Sequence, residues 1–276
     1  MRYALDVPNF GDFGNPRVLA DLAREAEEAG WDGFFMWDHL QTARPVPFAD
    51  PWVALAAMAS RTERIRLGTM VTPLPRRRPW KLARETVSVD QLSGGRLVLG
   101  VGIGINDWRE YSAFGEPTAD AQHGAMLDEG LAVLTGLWSG ETFSFQGQHY
   151  QVQEAQFLPT PAQQPRIPIW VAGLWPNKPP FRRAARWDGV FPIGRDGQMT
   201  PDDVRAMLAY IRQHRTSAEA FEVVQVGWAY AQGKEVGDAL LADYAEAGVT
   251  WWLEGFNPQD TAADVRARIQ QGPPTV

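Results

Sequence analysis

Short apolar runs alternate with helix-period segments along the whole chain, and no other property narrows the possible folds as much. Residues 3–7 form the first run. Asn15-Pro16 then offers a helix cap and a first-turn proline, followed by an apolar stripe through Val18, Leu22 and Ala26 that ends at Gly30. Residues 33–37 are apolar without alternation, the pattern of a strand covered on both faces, and they stop abruptly at Asp38-His39. Further strands are expected at 65–71, 96–101, 167–172, 189–193, 221–230 and 249–253. Helices are expected at 52–60, 79–92, 126–138, 181–187, 201–214, 236–247 and 261–271. The rhythm makes eight βα pairs. Its one long interruption, after the fourth strand, places aromatic residues on either side of Gln146-Gly147 and predicts an inserted hairpin over 142–150.

Eight parallel units without a second composition regime favour a closed (β/α)8 TIM barrel over an open doubly wound sheet, in the α/β class. At 276 residues the chain suits one such domain, 1–276. In these barrels chemistry sits at the C-terminal ends of the strands. Those ends read Asn9-Phe10, Asp38-His39, Thr69 to Thr72, Gly102 to Asn106, Gly173 to Trp175, Gly194-Arg195, Gln232-Gly233 and Glu254 to Phe256. The rim is apolar, aromatic and glycine-rich.

Composition removes several function classes. Lys and Arg number 26 against 33 Asp and Glu, a net charge of −7 with no dominant basic tract, so a nucleic-acid partner is not expected. The absence of cysteine excludes disulfides, thiolate nucleophiles and cysteine zinc sites. The four histidines lack metal-ligand spacing, and neither a Gly-x-Ser-x-Gly elbow nor a His-Glu-x-x-His motif occurs. Asp6 breaks any N-terminal signal-like run and no apolar stretch approaches the ~20 residues of a membrane span, so a soluble, cytoplasmic protein with no membrane partner is expected.

Asp38-His39 is the most pointed pair, an acid and an imidazole emerging where a buried strand meets the mouth. It reads either as a proton-transfer site or as a structural histidine beside a turn cap. Gly100-Val101-Gly102-Ile103-Gly104 fails the dinucleotide fingerprint, because position 105 is Ile. Its bare backbone suits either tight packing or close approach of a flat ring, with the Asn106 amide following. Arg76-Arg77-Arg78 reads as a solvated loop or as an attractor of an anionic tail. Among the tryptophans, 80, 108, 175, 251 and 252 fall on or near the expected rim, and some of them could wall a pocket for a planar ligand.

Residues 22–33 with Trp37-Asp38-His39, then Leu67 to Pro73, Leu92 to Arg96 with Leu99 to Gly104, and Arg183 to Gly189, taken in this order, resemble the bacterial luciferase-like monooxygenase superfamily, which includes enzymes using the deazaflavin F420. The resemblance implies FMN as cofactor, with F420 as the alternative, bound at the mouth of the barrel. It implies catalytic roles for His39 and Asp38, a bulge at Thr69-Met70-Val71 behind the ring with a non-proline cis peptide or bulge near Thr69-Met70, ring-edge contacts from Gly102, Gly104 and Asn106, and phosphate contacts from Gly173 and Gly194-Arg195. It implies an FMN-dependent monooxygenase acting with O2 on a small organic substrate, supplied by a separate flavin reductase and homodimeric in form. The alternatives are an F420-dependent hydride-transferring enzyme or a flavin-binding barrel without activity. Three departures stand out: Ala43 where many F420 enzymes carry Trp, Asp107 where they carry Glu after Asn, and Leu174-Trp175 where a small polar residue is usual.

Overall fold

The computed structural model describes residues 1–195, 197–231 and 233–275. Eight parallel strands close a barrel: β1 (Arg2–Val7), β2 (Gly33–Met36), β3 (Arg66–Pro73), β4 (Leu97–Gly102), β7 (Ile169–Trp175), β8 (Gly189–Gly194), β9 (Glu222–Gly227) and β10 (Trp251–Gly255), with β1 pairing both β2 and β10. Helices α1 (Pro16–Glu28), α2 (Pro51–Ala59), α3 (Pro79–Leu92), α4 (Asp120–Trp138), α5 (Lys178–Ala184), α6 (Pro201–Arg212), α7 (Lys234–Ala247) and α8 (Ala262–Gln270) connect and surround them. The expected (β/α)8 barrel is the observed one.

Both faces of each strand are covered, which is why the runs are apolar without alternation. Alternate residues enter two separate cores. Ala4, Phe35, Val98, Trp170, Phe191, Val224, Trp251 and Leu253 fill the barrel interior. Leu5, Phe34, Leu67, Leu99 and Val171 pack outward against helix residues such as Leu22, Leu55 and Leu82. The helix starts follow local chemistry: the Asn15 side chain accepts from Arg17 N, Asp50 accepts from the Trp52 and Val53 amides, and Thr200 and Thr261 each form a reciprocal capping box with an aspartate.

The hairpin is where expected, between the fourth and fifth barrel strands, but its turn is longer than Gln146-Gly147 suggests. Strands β5 (Phe143–Gln146) and β6 (Gln151–Ala155) pair across a turn closed by Gly147 N to Tyr150 O at 2.9 Å. The turn's other amides go to a distant acid: Glu129 on α4 accepts from Gln148, His149 and Tyr150 N. Two helices also shift: α4 begins six residues before 126, at Asp120, and α5 starts early at Lys178, its prolines suiting the first turn.

Arg96 ties the base of β3 to that of β4. Only 8% exposed, it donates to Ser93 O, Thr62 Oγ1, Ile65 O, Ala59 O and Thr62 O at 2.6–3.2 Å. A lysine has three donors and no planar fork. Arg96→Lys is therefore expected to cost about 3 kcal/mol, read in thermal melts as a midpoint lowered by roughly 6–10 °C. A melt indistinguishable from wild type would remove Arg96 from this role.

Candidate active site

At the C-terminal mouth the interior side chains become small. Gly102 lies between Val71 and Ala172, and a Cβ there would come within 2.9 Å of Val71 Cγ2. Gly255 ends β10 beneath Trp228, leaving Val71, Gly102, Ala172 and Val226 as an apolar floor. Leu174, Ile193 and Trp228 stand above it and remain 40%, 43% and 45% exposed. A flat floor with exposed apolar walls fits a planar ring system, and in this respect the residues present fit a flavin or deazaflavin.

The floor depends on a break in β3. The Met70–Val71 peptide is cis and the β3–β4 register shifts between Thr69 and Thr72, as the expectation at 69–71 has it. The shift turns two consecutive side chains, Met70 and Val71, to the barrel interior, which a regular strand cannot do. Thr69 is fully buried, its Oγ1 2.8 Å from Thr72 Oγ1 and 3.3 Å from Gly100 O, so it closes the bulge from behind and presents no atom to the mouth.

His39 stands at the rim within an aromatic enclosure. Its ring centroid is 4.6 Å from Trp108, 5.8 Å from Trp37 and 6.2 Å from Phe10. Its backbone is clamped by the buried Asn9 amide, which accepts from His39 N at 3.1 Å and donates to His39 O at 2.9 Å. Its Nδ1 lies 2.8 Å from Glu110 Oε2, with the side chain 18% exposed, and Nε2 is the nitrogen left for a ligand. Glu110 also accepts from Leu40 N at 2.6 Å, and its Oε1 lies 3.0 Å from Arg76 Nη1. Burial alone would push the Glu110 carboxyl up. The His39 contact, the Leu40 amide and the Arg76 charge outweigh that and hold it below its ordinary range.

Asp38, expected as His39's catalytic partner, is placed otherwise. Its carboxylate is wholly buried, 2.7 Å from Arg77 Nη2 through both oxygens and 3.2 Å from Arg76 Nη2. It anchors the loop and offers no oxygen to the mouth. The same contacts settle the arginine run: Arg76 and Arg77 turn inward onto Asp38, and only Arg78 is exposed.

Other expected contacts are likewise engaged in holding backbone. The Asn106 amide is not free: its Oδ1 accepts from Tyr111 N and Ser112 N at 3.1 and 3.0 Å, closing the loop that carries Glu110. Gly104 has φ +73°, and a Cβ there would strike Tyr111 and Pro73. Gly173 is bare because Pro180 of α5 packs on it, where a Cβ would be 2.4 Å from Pro180 Cβ. Gly194 is bare because Gly197 O approaches to 2.5 Å of such a Cβ. Arg195 is exposed in the turn just after β8, at the same end of the barrel. Gln232 lies outside the described residues. Of the rim tryptophans, Trp108 joins His39. Trp251 begins β10 and fills the opposite end of the barrel, while Trp252 points outward into the helix shell.

Two acids went unread in the sequence. Glu110 gave no local signal; the neighbouring Asp107, which did, is exposed. Asp6, a lone acid inside the first apolar run, faces the barrel interior in register with Gly255. Its Oδ2 accepts from Trp37 Nε1 at 3.1 Å, linking it to the ring beside His39, and its Oδ1 is buried with no partner among the described residues. Burial pushes its pKa up to about 8, with the Trp37 hydrogen bond opposing.

The profile of the luciferase-like monooxygenases matches residues 11–234. The F420-dependent glucose-6-phosphate dehydrogenase of Nakamurella multipartita is 35% identical over 181 residues, 63% of this chain and 50% of that protein. This chain thus matches about half the length of that relative. Among solved structures, a monooxygenase from Streptomyces bottropensis superposes with a TM-score of 0.78 at 20% identity, over 99% of this chain and 98% of the other. The coenzyme F420-dependent tetrahydromethanopterin reductase from Methanopyrus kandleri does so with 0.78 at 15% identity, over 98% of each chain. At those identities the superpositions show a shared barrel.

A raised carboxyl pKa has a definite sign. Between the ordinary carboxyl range and pH 8 the folded chain holds a proton on Asp6 that the unfolded chain has released, so Asp6's contribution is full at acid pH and is lost as pH rises through about 8. Asp6→Asn removes this dependence. Its stability relative to wild type is expected to improve by up to about 4 kcal/mol between pH 5 and 8, at 1.4 kcal/mol per pH unit, in urea denaturation at the two pH values. Parallel curves at both would place the Asp6 pKa in its ordinary range.

Proposed function

The chain belongs to the luciferase-like monooxygenase family, and within it we propose an F420-dependent oxidoreductase that removes hydride from an alcohol-type carbon of a small substrate. The family resemblance implies FMN first, with F420 as the alternative. Relatives at 32–36% identity include F420-dependent glucose-6-phosphate dehydrogenases, which favours the alternative, while FMN rests on more distant structural neighbours. The observation that carries the reading is the His39–Glu110 pair. Oxidising an alcohol releases a proton along with the hydride, so the site needs a base beside the cofactor; the pair supplies one.

The floor of Val71, Gly102 and Ala172 would carry the ring, and Arg195, exposed just after β8, would meet a phosphate tail. When bound, F420 supplies the hydride acceptor. His39 Nε2 takes the hydroxyl proton of the substrate. Glu110 holds the ring through Nδ1 and stabilises the imidazolium so formed. Asn9 keeps the His39 backbone in place, and Phe10, Trp37 and Trp108 keep water from the ring faces.

Titration of the purified protein with F420 and with FMN tests the cofactor, followed by loss of oxidised F420 absorbance with secondary alcohols and sugar phosphates. Tight FMN binding, no F420 binding and O2 uptake with reduced flavin would return the reading to a monooxygenase. His39→Ala is expected to lower turnover roughly 10²–10⁴-fold, the scale of general acid–base catalysis, with the melting temperature little changed. A several-degree loss of melting temperature with activity per folded molecule intact would make His39 structural. Arg195→Ala is expected to weaken F420 or FMN binding roughly ten- to a hundredfold while leaving riboflavin little affected, because only the former pair carries phosphate. Equal losses for all three ligands would assign Arg195 to the fold or the ring.

A further inference from the structure

The opposite end of the barrel carries a polar cavity, far along the strands from His39. About 230 Å3 in volume, it lies under the N-terminal ends of the strands, lined by Arg2, Arg66, Arg166, Asp188 and Glu222 around the rings of Trp170 and Trp251. That volume is room for roughly seven waters at ~30 Å3 each.

Its charges do not balance. Asp188 is taken by Arg166, which grips both carboxylate oxygens. Glu222 is taken by Arg2 and by the Thr250 hydroxyl, and the Arg2 guanidinium lies 4.5 Å over the Trp251 ring. Arg66 is left with neutral acceptors: Nη1 donates to Gly95 O at 3.1 Å and Gln163 Oε1 at 3.0 Å, and among the described residues it forms no ion pair. Asp90 lies nearby, but its oxygens accept from the backbone and side-chain nitrogens of Gln163. Burial, and next the charge of Arg2, hold the Arg66 guanidinium below its ordinary basicity; Asp90 and Glu222 offset this only in part. The wall therefore holds one cation more than it has anions, three guanidiniums against two carboxylates, in a space that a small ligand can enter.

We propose that this cavity is a binding site for a small oxyanion, with Arg66 as the charge the ligand compensates and Arg2 and Arg166 as its flanks. An oxyanion supplies what the wall lacks, a negative charge and several acceptor lone pairs, and guanidinium groups recognise it through paired N–H donors. The free ion and the phosphate of a phosphomonoester share this chemistry. In barrels of this kind the N-terminal face serves stability and not catalysis, so the ligand is expected to stiffen the barrel base.

The test is calorimetric titration of the full chain with inorganic phosphate at constant ionic strength, with phenyl phosphate and chloride as parallel arms. Saturable phosphate binding is expected, with no response to chloride. Arg66→Gln should weaken it roughly ten- to a hundredfold, the loss of one charge-assisted contact. Glu222→Gln should tighten it, because it removes one of the two anions while keeping the side chain's shape. The two substitutions act in opposite directions, so misfolding of one cannot mimic the pattern. Tighter binding of phenyl phosphate than of phosphate would identify a phosphomonoester seated against Trp251, and the reverse would identify the free ion; either supports the site. Absence of saturable binding, or binding indifferent to both substitutions, overturns the proposal. Since the mouth carries cationic groups too, loss of phosphate binding in Arg195→Ala with Arg66→Gln unaffected would also overturn it.

Discussion

A buried ionic cluster of two carboxylates and two guanidiniums sets the geometry of the mouth. Arg76 reaches both acids, with Nη2 on Asp38 and Nη1 3.0 Å from Glu110, while Arg77 closes on Asp38 from the other side. Asp38 belongs to the loop after β2, the arginines to the loop after β3, and Glu110 to the loop after β4. One cluster therefore locks three successive loops together. Charges this deeply buried stabilise little in net terms, but removal of one partner typically costs about 3–5 kcal/mol because the others are left unpaired. Their effect is geometric: they bring Glu110 to Nδ1 of His39 and hold it there.

Against that clamp the floor is permissive. The β3 bulge sends Met70 and Val71 inward together, and the glycines and alanine of β4 and β7 leave nothing tall beside them. The rest of the interior is closed by Phe35, Trp170, Trp251 and Phe191. The barrel is thus solid below and shallow above, with Asp6 and Trp37 at the boundary between the two. A hydrogen bond from Trp37 to a buried carboxyl couples the packed interior to the enclosure around His39.

Many residues that look like ligand contacts in one dimension serve the chain itself in three. Asn106 supplies the acceptor for the Tyr111 and Ser112 amides, and without that turn Glu110 would not face β2. Gly173 and Gly194 are small because a helix proline and a returning carbonyl come close. A glycine required by a neighbouring backbone and a glycine required by a cofactor are identical in sequence, and only the occupied space beyond the Cα tells them apart. The same holds for charge. Three consecutive arginines read as a solvated loop or an attractor of an anionic tail, yet two of them turn inward, because their partners at 38 and 110 lie dozens of residues away.

The sequence alone determined the barrel, its eight units, the place of the inserted hairpin and the position of His39 at a strand end. These follow from local rules: apolar periodicity, caps and turns depend on residues within a few positions of one another. The family resemblance added the bulge at 69–71. Tertiary structure decided which acid serves His39, which arginines turn inward, that Trp251 fills the base of the barrel and not its rim, and that Asp6 carries inside it an oxygen with no partner among the described residues. Each of these depends on which strand ends meet around a closed circle and on what solvent cannot reach. Closure brings Glu110 beside residue 39 and Trp251 beside residue 2, and burial then raises the pKa of Asp6 while the contacts of Glu110 hold its carboxyl low.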